Sequence, residues 1–200
     1  MNHSRSHLLA YFLCSFLSLV HASHSFSHLL FFQTPAQDKA LKCWYSHQGN
    51  PWLLLQPVKV EQFNHYPFVV MFHHLLTDRE SDQVREMAAP LLQRAKVQTD
   101  SNKTYEISST RTSQTAWFSS EDHQIVDRIN RRIEAVTGLS TDMSDSHSEL
   151  MQVANYGMGG HYTPHYDYLI VDRPPEERHL VDERELYAGD RTATLMFYVS

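Results

Sequence analysis

The sequence predicts an α+β fold in which helices back a β-rich core. Three observations lead there: two apolar stripes at helical spacing, several short runs of strand-like pattern, and a glycine-rich stretch running into strand-like sequence near the C-terminal quarter. In the first stripe Thr77 and Glu80 form a capping box, and Val84, Met87, Ala88, Leu91 and Leu92 repeat at helical spacing. Pro90 is expected to kink or end that helix, because it lacks the N–H that the helical ladder needs. The second stripe has Ser119 or Ser120 as its cap, Ile125, Val126, Ile129, Ile133 and Val136 on one face, and Gly138 as its stop. Both stripes are read as core-forming faces rather than ligand boxes. Strands are expected over 67–72, 104–118, 150–156, 162–170 and 192–200. The charged run 171–190, with Pro174-Pro175, has no core-forming stripe and reads as a loop, for which a solvated linker and a substrate lid fit equally.

Length and composition suit one soluble globular domain: 200 residues, a formal net charge of −6 and 42% hydrophobic residues. An acidic balance without basic runs argues against a nucleic-acid partner. The N-terminus has Arg5, an apolar run over 8–20, and Val20-His21-Ala22 with small residues, so 1–22 reads as a signal peptide cleaved after Ala22. The alternative is a retained anchor, which the apolar residues at 29–32 would lengthen, and membrane association follows only if the leader is kept. Residues 23–40 show no clear periodicity and read as unstructured or linker. Of two cysteines, Cys14 lies in the leader and Cys43 remains in the mature chain. An odd cysteine in an oxidising compartment implies either an intermolecular bond or a missing partner. Asn102-Lys103-Thr104 is a glycosylation sequon in a polar loop, usable in the secretory pathway.

The chemistry concentrates in Gln152-Val153-Ala154-Asn155-Tyr156-Gly157-Met158-Gly159-Gly160-His161-Tyr162-Thr163-Pro164-His165-Tyr166-Asp167. Residues i and i+2 of a strand point to one face, so the His165 imidazole and the Asp167 carboxylate can reach one metal ion. Two His and one carboxylate with open positions form the facial triad of non-heme Fe(II) oxygenases, and this pair supplies two of the three. In a chain with 14 His a lone His-x-Asp arises by chance, so the context carries the reading. The three glycines allow a tight turn or close backbone approach. Tyr156 and Tyr162 can offer phenol hydroxyls to an anionic cosubstrate, and Pro164 stiffens the entry to the ligand strand. The alternative is a glycine-rich hairpin bearing a surface histidine.

This stretch resembles the catalytic domain of prolyl 4-hydroxylase alpha subunits, in which a Gln-Val-Ala-Asn-Tyr-Gly-x-Gly-Gly-x-Tyr-x-Pro-His-x-Asp run carries the first two iron ligands. Leu41-Lys42-Cys43, Pro57-Val58-Lys59-Val60-Glu61, 113–117, Thr137-Gly138-Leu139 and 189–198 follow in the family's order and approximate spacing, so the resemblance covers 41–200. It implies a double-stranded β-helix, or jelly roll, with supporting helices. It also implies Fe(II), 2-oxoglutarate as cosubstrate and ascorbate to keep the iron reduced. The implied reaction is hydroxylation of proline in proline-rich or collagen-like peptides, in the lumen of the endoplasmic reticulum and with protein disulfide isomerase as a partner. Position by position, it makes His165 and Asp167 the catalytic metal ligands and gives Tyr156, Thr194 and, more weakly, Tyr198 to 2-oxoglutarate.

The chain departs from that pattern in its later part. The family's second ligand His and the Lys that pairs with the far carboxylate of 2-oxoglutarate have no counterpart: the last lysine is Lys103, and His179, the one His after Asp167, sits in the charged run. The resemblance also places a partner for Cys43 upstream, in a segment this chain lacks. The expectation is a catalytic domain truncated at both ends, its jelly roll incomplete because later core strands are missing. Strand 192–200 would then be a central strand without its successors, and each unsatisfied buried group costs about 1–3 kcal/mol against a total stability of about 5–15 kcal/mol. A stable monomer ending at Ser200 is not expected on that ground. The alternative to a hydroxylase is a noncatalytic truncated product or interaction protein, and a third reading is a related oxygenase acting on lysine or a free small molecule.

Overall fold

The computed structural model describes residues 8–12, 34–98, 105–106, 109–143, 147–165, 167–168, 175–176 and 190–199. The strand β1 (Leu8–Phe12) comes first, followed by the short helix α1 (Pro35–Ala40), β2 (Cys43–Ser46), α2 (Pro51–Leu55), β3 (Val58–Asn64) and β4 (Phe68–Phe72). Helix α3 (Asp78–Ala88) runs into a 3₁₀ turn at Ala89–Leu91, and short strands β5 (Gln93–Arg94), β6 (Val97–Gln98) and β7 (Tyr105–Glu106) lead to β8 (Gln114–Phe118). Helix α4 (Gln124–Thr137), β9 (Met151–Asn155) and β10 (Thr194–Phe197) complete the described chain. One antiparallel sheet has the order β10-β1-β4-β3-β2, a second has β5-β8-β9, and β6 pairs with β7. The architecture is mixed helix and antiparallel sheet, as the α+β expectation requires.

Local signals explain most of the elements. The Thr77 hydroxyl accepts from the Glu80 amide at 3.2 Å while Glu80 Oε2 accepts from the Thr77 amide at 3.0 Å, which is the expected capping box at the start of α3. Pro90 ends that helix as a 3₁₀ turn. Gly138, at φ +73°, stops α4 in the left-handed conformation that glycine adopts without strain. The N-terminal cap of α4 differs from expectation. His123 occupies the cap without a side-chain hydrogen bond, while Ser119 Oγ accepts from the Glu121 amide at 3.1 Å and so closes the preceding turn.

Three strand expectations are corrected. The run 104–118 is divided into β7 and β8, with a turn at Ser109-Thr110, where hydroxyl side chains compete with ladder bonding. The run 162–170 is not a regular strand among the described residues: Tyr162 makes an isolated bridge with Arg111, and Pro164 then removes a ladder donor. The C-terminal strand, expected to be central, is the outer member of its sheet as described and pairs with β1 alone. Within 23–40, Pro35–Ala40 is helical, because Thr34 and Gln37 form a second capping box and Pro35 occupies the first turn. Within the expected leader, Leu8–Phe12 forms β1. His179, the sequon and most of the charged run lie outside the described residues.

The core joins the sheets to α3 and α4. Val60, Val70, Phe72 and Leu75 are buried with Val136 of α4, and Leu195 and Phe197 pack against them. Ala116 and Phe118 of β8 are buried with Ala88 and Val126, while Leu76, Val84 and Ile129 form a third group. Val126, Ile129 and Val136 come from the stripe read in the sequence, so one helix face holds both sheets. Arg132 crosses from α4 to donate to both carboxylate oxygens of Glu80, each at 2.9 Å, and to the Leu75 carbonyl at 2.7 Å. The Cys43 thiol is free and exposed on edge strand β2. No helix among the described residues is long and apolar enough to cross a membrane.

Candidate functional site

The site grows from the end of β9. That strand pairs with β8 from Phe118↔Met151 to Gln114↔Asn155, and the chain then turns back through the glycines. The Gly160 amide donates to the Gly157 carbonyl at 2.8 Å, and Gly159 takes φ +75°. A Cβ at Gly160 would stand 2.8 Å from that carbonyl oxygen, so the turn requires glycine there, and 3.2 Å from the Thr112 carbonyl oxygen, a tight fit against 110–112. The returning segment is pinned by two backbone–backbone hydrogen bonds and one to a side chain. The Thr112 amide donates to the His161 carbonyl at 2.8 Å, the His161 amide to Thr112 Oγ1 at 2.8 Å, and the Thr163 amide to the Thr110 carbonyl at 2.9 Å.

His165 and Asp167 follow directly. The His165 Nδ1–H donates to the Thr163 carbonyl at 2.8 Å, which puts a proton on Nδ1 and turns Nε2 towards Asp167. Nε2 stands 3.3 Å from Asp167 Oδ1. A nitrogen and a carboxylate oxygen so close need a proton or a cation between them. Two donors held about 2.1 Å from one octahedral ion in neighbouring positions are about 3 Å apart, so the separation suits a shared divalent metal. The donor set of one imidazole nitrogen and one carboxylate oxygen fits Fe(II) as two of its ligands. Among the described residues no group of three His, Cys, Asp or Glu comes together in a way that could hold a metal.

The structure joins Thr194 to this pair and leaves the two tyrosines apart. Thr194 Oγ1 donates to Asp167 Oδ2 in a short hydrogen bond, so this hydroxyl orients the carboxylate. Tyr156 and Tyr198 are exposed, and neither hydrogen-bonds to His165, Asp167 or Thr194 among the described residues. Arg191 and Arg111, which sequence reasoning did not place at the site, also gather here, and Tyr162 meets it through its ring rather than its hydroxyl. The Arg191 Nη1–H donates to the Asp167 carbonyl at 3.1 Å, and the same guanidinium pairs with Glu149. The Tyr162 ring stacks on the His165 ring with centroids 3.7 Å apart and planes inclined 25°. The Arg111 guanidinium carbon lies 4.9 Å from the Tyr162 centroid, and its Nη2–H donates to Gln152 Oε1. Arg111 lies in a Ser/Thr-rich run read as strand, and its bridge to Tyr162 brings it to the site. The Arg191 carbonyl contact comes from a residue far along the chain, which no local pattern announces.

No family model matches the chain. A prolyl 4-hydroxylase subunit alpha-2 of Caenorhabditis elegans is 38% identical over 166 residues, covering 83% of this chain and 29% of that protein. A mouse prolyl 4-hydroxylase subunit alpha-1 is 39% identical over 169 residues, 84% of this chain and 30% of its own length. A rat subunit alpha-3 is 36% identical over 167 residues, again 84% of this chain and 29% of that protein. The chain thus spans under a third of the length of these relatives. Over the region they share, the chain belongs to the family of prolyl 4-hydroxylase alpha subunits.

Proposed function

We propose that this chain carries part of the catalytic centre of an Fe(II)- and 2-oxoglutarate-dependent dioxygenase that 4-hydroxylates peptidyl proline. The observation that supports this most directly is the 3.3 Å approach of His165 Nε2 to Asp167 Oδ1, in a chain matched over 84% of its length by alpha subunits of prolyl 4-hydroxylases. His165 and Asp167 would hold the iron. When bound, the metal supplies the redox chemistry that couples O2 and 2-oxoglutarate to hydroxylation, with ascorbate keeping it reduced. The chain's own residues orient and confine. Thr163 fixes the tautomer of His165, Thr194 and Arg191 hold the Asp167 carboxyl group and backbone, and the glycine turn brings 110–112 against the ligand segment.

Tyr156, Thr194 and Tyr198 are proposed to bind 2-oxoglutarate, Thr194 by turning from Asp167 when the cosubstrate enters. The wider fold is proposed to be a jelly roll, with 41–200 as the catalytic-domain portion, 23–40 leading into it and 1–22 as a leader to the lumen of the endoplasmic reticulum. The substrate would be a proline-rich or collagen-like peptide, and protein disulfide isomerase the partner subunit. The test is recovery of 4-hydroxyproline from a proline-rich peptide incubated with the protein, Fe(II), 2-oxoglutarate and ascorbate. Product that disappears in His165→Ala and Asp167→Ala supports the reading. Absence of product from the native protein, carrying whatever sequence accompanies this chain in the cell, would overturn it.

A further inference from the structure

We infer that Arg111 is a positioning residue for His165, acting through the Tyr162 ring; the inference rests on the reading of His165 as a metal ligand. The backbone makes the contact obligatory. Arg111 and Tyr162 are partners in an antiparallel bridge, and the hydrogen bonds of Thr110 and Thr112 to Thr163 and His161 lock that register on both sides. Opposed residues of an antiparallel pair put their side chains on the same face, so the guanidinium and the phenol ring are neighbours by construction.

The way Arg111 is held shows that hydrogen bonding alone does not set its place. One Nη2–H donates to Gln152 of β9, while its Nε, buried from solvent, has no acceptor among the described residues. A guanidinium free to choose would turn Nε to an acceptor or to water, because a buried donor without a partner is costly. Here the group lies over the Tyr162 ring at 4.9 Å, where the negative face of the π-system attracts a cation. The ring in turn stacks on the His165 imidazole.

His165 needs that support. It is exposed, it lies in an irregular segment beyond the last paired residue, and its polar contacts among the described residues, to the Thr163 carbonyl and to Asp167, both come from its own segment. Stacking against Tyr162 adds a tie to the ring face and keeps Nε2 aimed at the point shared with Asp167 Oδ1. Gln152, Arg111, Tyr162 and His165 thus form a chain of contacts that carries the rigidity of the β8–β9 sheet to a ligand held on a loop.

The test uses the whole 200-residue chain with histidine-labelled NMR spectra, in which ring-current displacement reports the stack, and Co(II) titration, in which absorption bands report coordination. His165→Asn assigns the resonance. The unsubstituted chain and Tyr162→Phe, which keeps the ring, are expected to show a His165 resonance displaced by ring current. Arg111→Met and Tyr162→Leu are expected to lose that displacement and to weaken Co(II) binding by about 10–100-fold, with Arg111→Lys falling between. Circular dichroism and melting temperature are recorded for each. Should Arg111→Met not fold, Tyr162→Leu, which leaves the Arg111–Gln152 bond intact, decides the question. An undisplaced His165 resonance in the unsubstituted chain, or displacement and affinity unchanged in Arg111→Met, overturns the inference. Should the unsubstituted chain not bind Co(II), the titration is repeated on the native protein with whatever sequence accompanies this chain, and failure there, with the displacement present and lost on Arg111→Met, overturns the ligand reading of His165 and leaves the stack standing.

Discussion

Glu80 shows how much one ion pair can set at the level of a residue. Its side chain is 8% exposed and receives two hydrogen bonds from Arg132, which outweigh burial and, with the Thr77 contacts, lower its pKa from 4.5 to about 2. A carboxyl whose folded pKa is depressed contributes stability above its unfolded value and loses it as pH falls through the folded one. The contribution, about 3 kcal/mol, is therefore full above pH 4.5 and fades towards about pH 2. Glu80→Gln is expected to flatten the acid limb of a stability-against-pH curve measured by denaturant titration. Arg132→Met leaves the carboxylate buried and unpaired and is expected to cost about 3–5 kcal/mol, read as a lower denaturation midpoint. At the glycine turn, Gly160→Ala forces a Cβ against backbone at 2.8 Å and is expected to cost about 1–3 kcal/mol and to loosen the His161–Thr112 bonds, visible as faster amide exchange. Sequence made Thr77 with Glu80 legible, since a capping box is a local pattern. It did not reveal Arg132 as the partner of Glu80 or Thr194 as that of Asp167, because those pairs are 52 and 27 positions apart and only the fold brings them together.

Among the elements, α4 was the most legible, because its stripe, length and glycine stop all point the same way. Ile129 is 1% exposed in the group with Leu76 and Val84, so Ile129→Ala is expected to lower stability by about 2–5 kcal/mol in denaturant unfolding. Gly138 has open space where a Cβ would go, yet its positive φ makes Gly138→Ala cost about 1–2 kcal/mol by the same measurement. The cap of α4 was misread because a serine near a helix start serves an upstream turn as readily as the helix. The ligand segment was misread for a related reason. Alternating polar and aromatic residues at 162–168 look like a strand, but Pro164 cannot donate to a neighbour, so among the described residues the segment keeps only the Tyr162 bridge and takes its support from side chains. His165 Nε2 and Asp167 Oδ1 approach to 3.3 Å without a regular strand beneath them.

For the molecule as a whole, the α+β class was legible, whereas the closure of the larger sheet was not. Strand β1 lies between β4 and β10, pairing Ala10 with both Val70 and Leu195. Apolar composition alone cannot separate a leader from a strand, since both are short runs of the same residues. The proposed cleavage after Ala22 and this pairing exclude one another, because a processed chain has no β1. A chain lacking residues 1–22 is expected to lose hydrogen-exchange protection in Phe68–Phe72 and Thr194–Phe197 relative to the full chain, and to self-associate in light scattering as two strand edges come free. Unchanged protection would mean that β4 and β10 find other cover.

The pairing of Leu8 with Phe197 also has a cost in time. A growing chain emerges at about 5–20 residues per second, so the apolar strand made first waits on the order of ten seconds or more before its partner exists. Helices α3 and α4 and the β3–β4 hairpin can form as they are made, but the seam that completes the larger sheet cannot close until Thr194–Phe197 has left the ribosome. During that interval Leu8–Phe12 is an exposed apolar segment available to whatever binds such segments during synthesis, so the fate of the sheet depends on which arrives first, that binder or Thr194–Phe197.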